Sequence, residues 1–306
     1  MVKKLALNIL LVAGVVFILD FAIGKILRHF YFKETSGLHY RTTYSMDSTK
    51  AQVLVFGASR ANHSYVPEVF EDTLKKTFYN TGRDGNGIFY QTALFETILK
   101  RYTPEIVIME YSGFDKNQVG FDKVASLLPY YRTSPAIRKI VDDEEPTEKI
   151  KLASEIYPFN SQALTIAVGN LDINKKRVYN DKGYVPLYGE WPNEMDSDRS
   201  TELHEIDTNK VRVFKEFLTT AKNLGIKVFV VSSPLFQNQK VNVGIDKCAE
   251  ICQAEHVPFM NLQKDTFFLT RRYLFQDILH LNNTGAIEFS KVIATKILHY
   301  KTPGTL

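Results

Sequence analysis

Two hydrophobic patterns divide the chain. From Leu5 to Ile23 (LALNILLVAGVVFILDFAI) nearly every position is apolar, with Asn8 and Asp20 as the only interruptions. The run approaches the ~20 residues that a membrane-spanning helix requires. After residue 51 the apolar residues fall instead into short runs and helical spacings. Gln52–Phe56, Phe78–Tyr79, Pro104–Tyr111, Lys227–Val231 and Val257–Met260 read as buried strands. Pro67–Thr77, Phe89–Tyr102, Thr208–Leu224, Asp246–Glu255 and Thr284–His299 read as helices, with Leu94, Phe95, Ile98 and Leu99 sharing one face of the second. Alternation of this kind predicts an α/β fold, a parallel sheet covered by helices on both sides.

The pattern lapses twice. Residues 34–50 (ETSGLHYRTTYSMDSTK) are polar and aperiodic, which predicts a linker. The stretch 116–206 is far longer than a simple connection between elements, so it reads as an insertion over the carboxyl edge of the sheet. Helical spacing returns within it around Ala125–Leu128, Ile137–Val141 and Ile150–Ile156. The expected organisation is a cytoplasmic N-terminus and anchor helix over 1–29, a linker over 30–50, and an α/β domain over 51–306 that carries the insertion.

Charge at the N-terminus orients the apolar run. Lys3 and Lys4 precede it, which holds the N-terminus in the cytoplasm and exports the chain beyond the run, although Lys25, Arg28 and His29 pull the other way. A cleaved signal peptide is the competing reading, with Ala22–Gly24 as its small-x-small site. Asp20 and Ile23 crowd that site and the apolar core is long, so a retained single-pass anchor with an extracytoplasmic domain is expected. Over the whole chain 24% of the 306 residues are charged and 44% hydrophobic, the balance of a folded domain with a substantial core. The net charge of +4 is dispersed and forms no basic face, which excludes nucleic acid as a partner. Cys248 and Cys252 lie four apart with no second Cys/His pair to complete a zinc set, so they read as buried thiols, and no metal or organic cofactor is expected.

Three segments carry candidate chemistry. Ser59, in Gly57-Ala58-Ser59-Arg60, directly follows the first strand, where parallel sheets open their ligand crevices. A serine there is a nucleophile or simply a helix N-cap. Asp277 and His280 are three apart, a spacing that lets the carboxylate orient the imidazole and the imidazole serve a hydroxyl as base; a bare surface turn has the same spacing. Asn282 to Gly285 supply caps for the last helix. The loop Asn80–Gly87 (NTGRDGNG) lies after the second strand, and its glycines let backbone N–H groups approach a ligand, as an oxyanion hole requires, or mark a mobile turn.

Together these blocks resemble the SGNH (GDSL-like) hydrolase superfamily over roughly residues 51–115 and 208–299. The G-x-S-R start and D-x-x-H-L-N-x-x-G finish look like membrane-anchored members tied to polysaccharide O-acylation in the cell envelope. The resemblance implies a flavodoxin-like three-layer α/β/α sandwich and a triad of Ser59, His280 and Asp277. It further implies an oxyanion hole from the backbone N–H groups of Ser59 and Gly85, the latter in an N-x-x-x-x-G pattern with Asn80. One block departs from the family: Phe114 stands where an asparagine donor is expected, leaving Ser112 or Asn117 as substitutes.

Arg60 either steadies a substrate anion or pairs with a carboxylate, and His63, four after Ser59, reads as a helix-surface or supporting residue or lines the cleft. Trp191 and tyrosines 111, 130, 131, 184 and 188 stack on sugars or form the insertion's own core. The expected function is a serine esterase or O-acyltransferase acting on acylated glycans or related small esters of the envelope. Envelope acylation proteins are then candidate partners. The alternative is a weak or inactive protein of the same fold that binds glycan or supports an acyl-transfer complex.

Overall fold

The computed structural model describes residues 1–116, 124–171, 181–191, 205–236 and 243–301. The helices in chain order are α1 (Val2–Lys33), α2 (Gly37–Asp47), α3 (Ser59–Ser64), α4 (Pro67–Leu74), α5 (Ile88–Leu99), α6 (Pro135–Glu144), α7 (Glu148–Lys151) and α8 (Ala163–Leu171). They continue with α9 (Thr208–Asn223), α10 (Val243–Ala254), α11 (Thr266–Leu269) and α12 (Asn283–Leu298). The strands are β1 (Val53–Phe56), β2 (Phe78–Asn80), β3 (Ile106–Glu110), β4 (Lys227–Ser232) and β5 (Phe259–Asn261). Contacts divide the chain into two units, one built from residues 1–43 with 124–179 and the other from 44–123 with 180–306.

The second unit is the α/β fold expected from the alternation. Its five strands are all parallel in the order β2-β1-β3-β4-β5, with helices on both sides. Val53, Val55, Ile108, Phe229 and Val231 pack with Tyr65, Phe70, Phe289 and Ile293 in one core cluster. Alternate residues point the other way, so that Phe56 meets the rings of Phe95 and Phe217 at 5.5 Å each. The strand order reverses between β1 and β3, and crevices for ligands open at the carboxyl ends of strands at such a reversal. Ser59 lies two residues beyond Gly57, the first residue after β1.

In the first unit α1 is a 32-residue helix whose most apolar window has no buried share. Toward its carboxyl end the helix changes character. The Asp20 carboxylate accepts from the Ser154 hydroxyl and from the Glu155 N–H at 2.7 Å. Gly24 lies so close to Glu155 that an added Cβ would meet its backbone at 2.4 Å. Arg28 donates to the Pro129 carbonyl at 3.1 Å, and the buried Tyr31 ring stacks on His39 at 4.5 Å.

Two expectations from the sequence are corrected. The linker expected over 34–50 contains α2, because Arg101 donates to the carbonyls of Ser45, Met46 and Thr49 and Met46 is buried, contacts that no local periodicity announces. The helical piece expected over Ile150–Ile156 stops at Lys151. Asp20 takes the N–H groups of Glu155 and Ile156 that a continuing helix would keep for itself.

Candidate active site

The candidate triad side chains come from two segments 221 residues apart. After β1 the chain passes through Gly57 and Ala58 and enters α3, where Ser59 is the first residue and Ala58 the N-cap. The Ser59 hydroxyl therefore does not cap its helix. It lies 2.7 Å from Nε2 of His280. Nδ1 of the same ring lies 2.9 Å from Oδ2 and 3.0 Å from Oδ1 of Asp277. The carboxylate also accepts the backbone N–H of Leu279 at 2.8 Å and of His280 at 2.9 Å. Burial raises the Asp277 pKa, but the bonds from the His280 ring and from these N–H groups outweigh it, and the net value falls below the ordinary 3.8. With Nδ1–H directed at the carboxylate, Nε2 is left with its lone pair toward the serine hydroxyl.

The loop that carries this pair is closed at its base. Phe275 bridges Leu281, Gln276 N–H bonds to the His280 carbonyl at 2.9 Å, and Asn282 N–H bonds to the Leu274 carbonyl at 2.9 Å. Asn282 also caps α12, its Oδ1 accepting from Gly285 N–H at 3.0 Å. The segment 181–191, part of the expected insertion, buttresses the same loop. Asn282 Nδ2 donates to the Gly189 carbonyl at 2.9 Å, Asn283 N–H to Leu187 at 2.7 Å, and Trp191 N–H to Phe275 at 3.0 Å. Nothing in the local pattern of 181–191 marks this role, which exists only across long chain distances.

The candidate oxyanion loop is held to α3. Asn80 donates through Nδ2 to the Ala61 carbonyl at 2.7 Å and accepts Gly82 N–H at 2.9 Å. Gly85 sits at φ 68°, the left-handed conformation that favours glycine. Among the described residues neither the Ser59 N–H nor the Gly85 N–H has a hydrogen-bond partner.

The remaining candidates separate. Arg60 is pinned rather than free: one Nη donates to the Tyr111 carbonyl and the other lies 3.5 Å from Glu110. Glu110 is only 1% exposed and is the centre of a buried network. It accepts from the Tyr65 hydroxyl at 2.6 Å and from the Ser233 N–H and hydroxyl at 3.0 and 2.7 Å. Burial and the Glu110 carboxylate push the Tyr65 phenol well above its ordinary value of 10.0. The Ser112 hydroxyl lies 3.5 Å from Nε2 of Gln91, which also donates to the Asn86 carbonyl on the oxyanion loop. Asn117 lies outside the described residues. Phe114 is buried between Tyr111 and Phe214, so its ring serves the core. Trp191, Tyr111, Tyr130 and Tyr184 are buried as well, whereas Tyr188 is exposed.

Of the readings open for His63, the surface one is excluded. The residue is buried, and its ring meets that of His280 edge-on with centroids 5.8 Å apart. Among the described residues no group of three or more His, Cys, Asp and Glu is arranged to hold a metal ion, and both cysteines are free and buried.

No family model matches this chain, and no curated protein matches it. Solved structures do resemble it. A psychrotrophic esterase, EstA from Pseudoalteromonas sp., is 8% identical with a TM-score of 0.40, over 80% of this chain and 95% of that one. An acetyl xylan esterase, AlAXEase, is 12% identical with a TM-score of 0.40, over 80% and 97%. A two-domain esterase (CEX) active on acetylated mannans is 16% identical with a TM-score of 0.39, over 89% of this chain and 58% of that one. None of the three is alike enough to carry the chemistry of the site, which rests on the side chains described above.

Proposed function

We propose that the protein is a serine esterase or O-acyltransferase that works through a covalent acyl-Ser59 intermediate. The single observation that carries this reading is the 2.7 Å between Ser59 Oγ and His280 Nε2, on a ring whose other nitrogen faces Asp277. His280 takes the hydroxyl proton as Oγ attacks an ester carbonyl, and Asp277 stabilises the imidazolium that forms. The tetrahedral oxyanion accepts from the N–H groups of Ser59 and Gly85. Collapse expels the alcohol, which leaves with the proton from His280, and the acyl group stays on Ser59. A second alcohol or water, deprotonated by His280, then displaces it. Water makes the protein an esterase, and a sugar hydroxyl makes it a transferase.

The resemblance to SGNH members of the envelope and an exported domain favour acylated glycans as substrates. In this reading α1 anchors the protein in the cytoplasmic membrane by a single pass, with the α/β unit extracytoplasmic and acylation proteins of the envelope as partners. The contacts of Asp20 and Gly24 with residues 154–156 support retention of the helix, since cleavage near Ala22–Gly24 would remove part of a folded unit.

A second reading, a protein of this fold that binds glycan without turning it over, has one observation in its favour. Phe114 occupies the position of the family's asparagine donor, and loss of one oxyanion donor lowers the rate by ~10²–10³. A fluorophosphonate probe separates the two readings. Labelling of the full-length protein that vanishes in Ser59→Ala and falls in His280→Ala supports the enzyme. Absence of labelling at any pH between about 6 and 9 favours the binding protein.

A further inference from the structure

His63 carries a feature that the triad does not use. Its Nδ1 lies 2.7 Å from the Val185 carbonyl, and its Nε2 lies 3.2 Å from each carboxylate oxygen of Asp84. A carbonyl and a carboxylate are acceptors only, so satisfying both requires an N–H on each ring nitrogen. Asn62 Nδ2 also lies 3.5 Å from Nε2, farther than either carboxylate oxygen, so the nearer partners at both nitrogens are acceptors and the arrangement fits an imidazolium. Asp84 directly precedes Gly85, whose N–H has no hydrogen-bond partner among the described residues, and a second tether on Asp84 is the uncharged donor Asn62 Nδ2 at 2.7 Å. The segment 181–191 fixes the ring from the far side, because Val185 also donates its N–H to the Asn62 carbonyl at 3.0 Å.

We propose that His63 is a positioning residue: as an imidazolium it clamps Asp84, and with it the Gly85 N–H, onto α3. This rests on the proposed reaction, in which Gly85 serves the oxyanion. The groups facing His63 are Asp84 from the oxyanion loop, His280 from the catalytic loop with Asp277 behind it, the Val185 carbonyl from 181–191, and Asn62 from α3 itself. The two histidines then have opposite proton requirements. His280 must offer a bare Nε2 to Ser59, whereas His63 must keep its Nε2 proton for Asp84. Loss of that proton turns a charge-assisted bond into a contact between two acceptors and loosens the loop.

The test uses the full chain in detergent, with p-nitrophenyl acetate as probe ester and histidine ring nitrogens labelled with ¹⁵N for NMR. His63→Ala and Asp84→Asn are expected to lower kcat about 10- to 100-fold while KM moves less than about threefold. His63→Gln retains a donor toward Asp84, so it is expected to restore most of kcat, which a residue that merely filled space would not allow. Failure of His63→Gln to restore kcat, or a wild-type His63 Nε2 that carries no proton, overturns the proposal. The Asp84 side chain is 53% exposed, so Asp84→Asn tests the clamp even where His63→Ala fails to fold. A protein without Ser59-dependent turnover overturns the esterase reading instead. In that case the ring spectrum decides the clamp: an imidazolium signal lost in Asp84→Asn supports it, and a bare Nε2 overturns it.

Discussion

Asp277 holds His280 at two points, through the ring Nδ1 at 2.9 Å and through the backbone N–H at 2.9 Å. One carboxylate thus sets both the path of the loop and the plane of the imidazole. The arrangement is local, since only two residues separate the partners. It therefore forms with little loss of chain entropy.

Replacing Asp277 with Asn removes the charge that fixes the His280 tautomer while leaving the loop's backbone acceptor in place. Turnover of p-nitrophenyl acetate is expected to fall by ~10³–10⁴, with KM little changed. The substitution also has a signature in stability. A carboxyl whose folded pKa lies below the ordinary 3.8 stabilises the fold above that value, and the contribution is lost as pH falls through the folded pKa. Denaturation midpoints of Asp277→Asn should consequently drop less than wild type as the medium is acidified below 3.8.

Glu110 tests the floor of the site. Its carboxylate is buried and serves Tyr65, Ser233 and Arg60 together. Glu110→Ala leaves the Arg60 guanidinium without its counter-charge and two hydroxyls without their acceptor, a loss of ~3–5 kcal/mol in urea unfolding. Glu110→Gln keeps an acceptor for Tyr65 and Ser233 and is expected to lose less than half of that.

Retention of α1 is open to a direct measurement. Protein extracted from membranes is expected to keep the residues before Ala22, read by intact mass or terminal sequencing, and to resist an alkaline carbonate wash. A mature N-terminus at Ile23 to Lys25 would reverse the assignment of α1 as an anchor. Asp20→Ala removes the acceptor of the Ser154 hydroxyl and the Glu155 N–H, so proteolysis within 150–160 should accelerate.

The strands were legible as short continuous apolar runs, because a parallel sheet covered on both sides buries both faces, and the long helices of the α/β unit from apolar residues repeated at helical spacing. Their ends moved by a few residues, as with the helix expected over Pro67–Thr77, which ends at Leu74 where Lys75 turns left-handed. Helix α2 was not legible, since Arg101 from another part of the unit satisfies its carboxyl end. The sequence did not separate a surface His63 from a supporting or cleft-lining one, because the groups that bury it, Val185 and His280, lie 122 and 217 positions further along the chain.

The amino-acid order by itself determined the elements that local physics can build. These are the apolar N-terminal helix, the strand-and-helix alternation, the Asn282 cap and the Asp277–His280 pair. Each depends on residues within a few positions of one another. Tertiary structure alone decided which hydroxyl the histidine meets, how the segment 181–191 braces the loop that carries Asp277 and His280, and why Arg60 is tied to Glu110. These contacts join segments far apart in the chain, and they form only when the parallel sheet brings the ends of its strands to one edge.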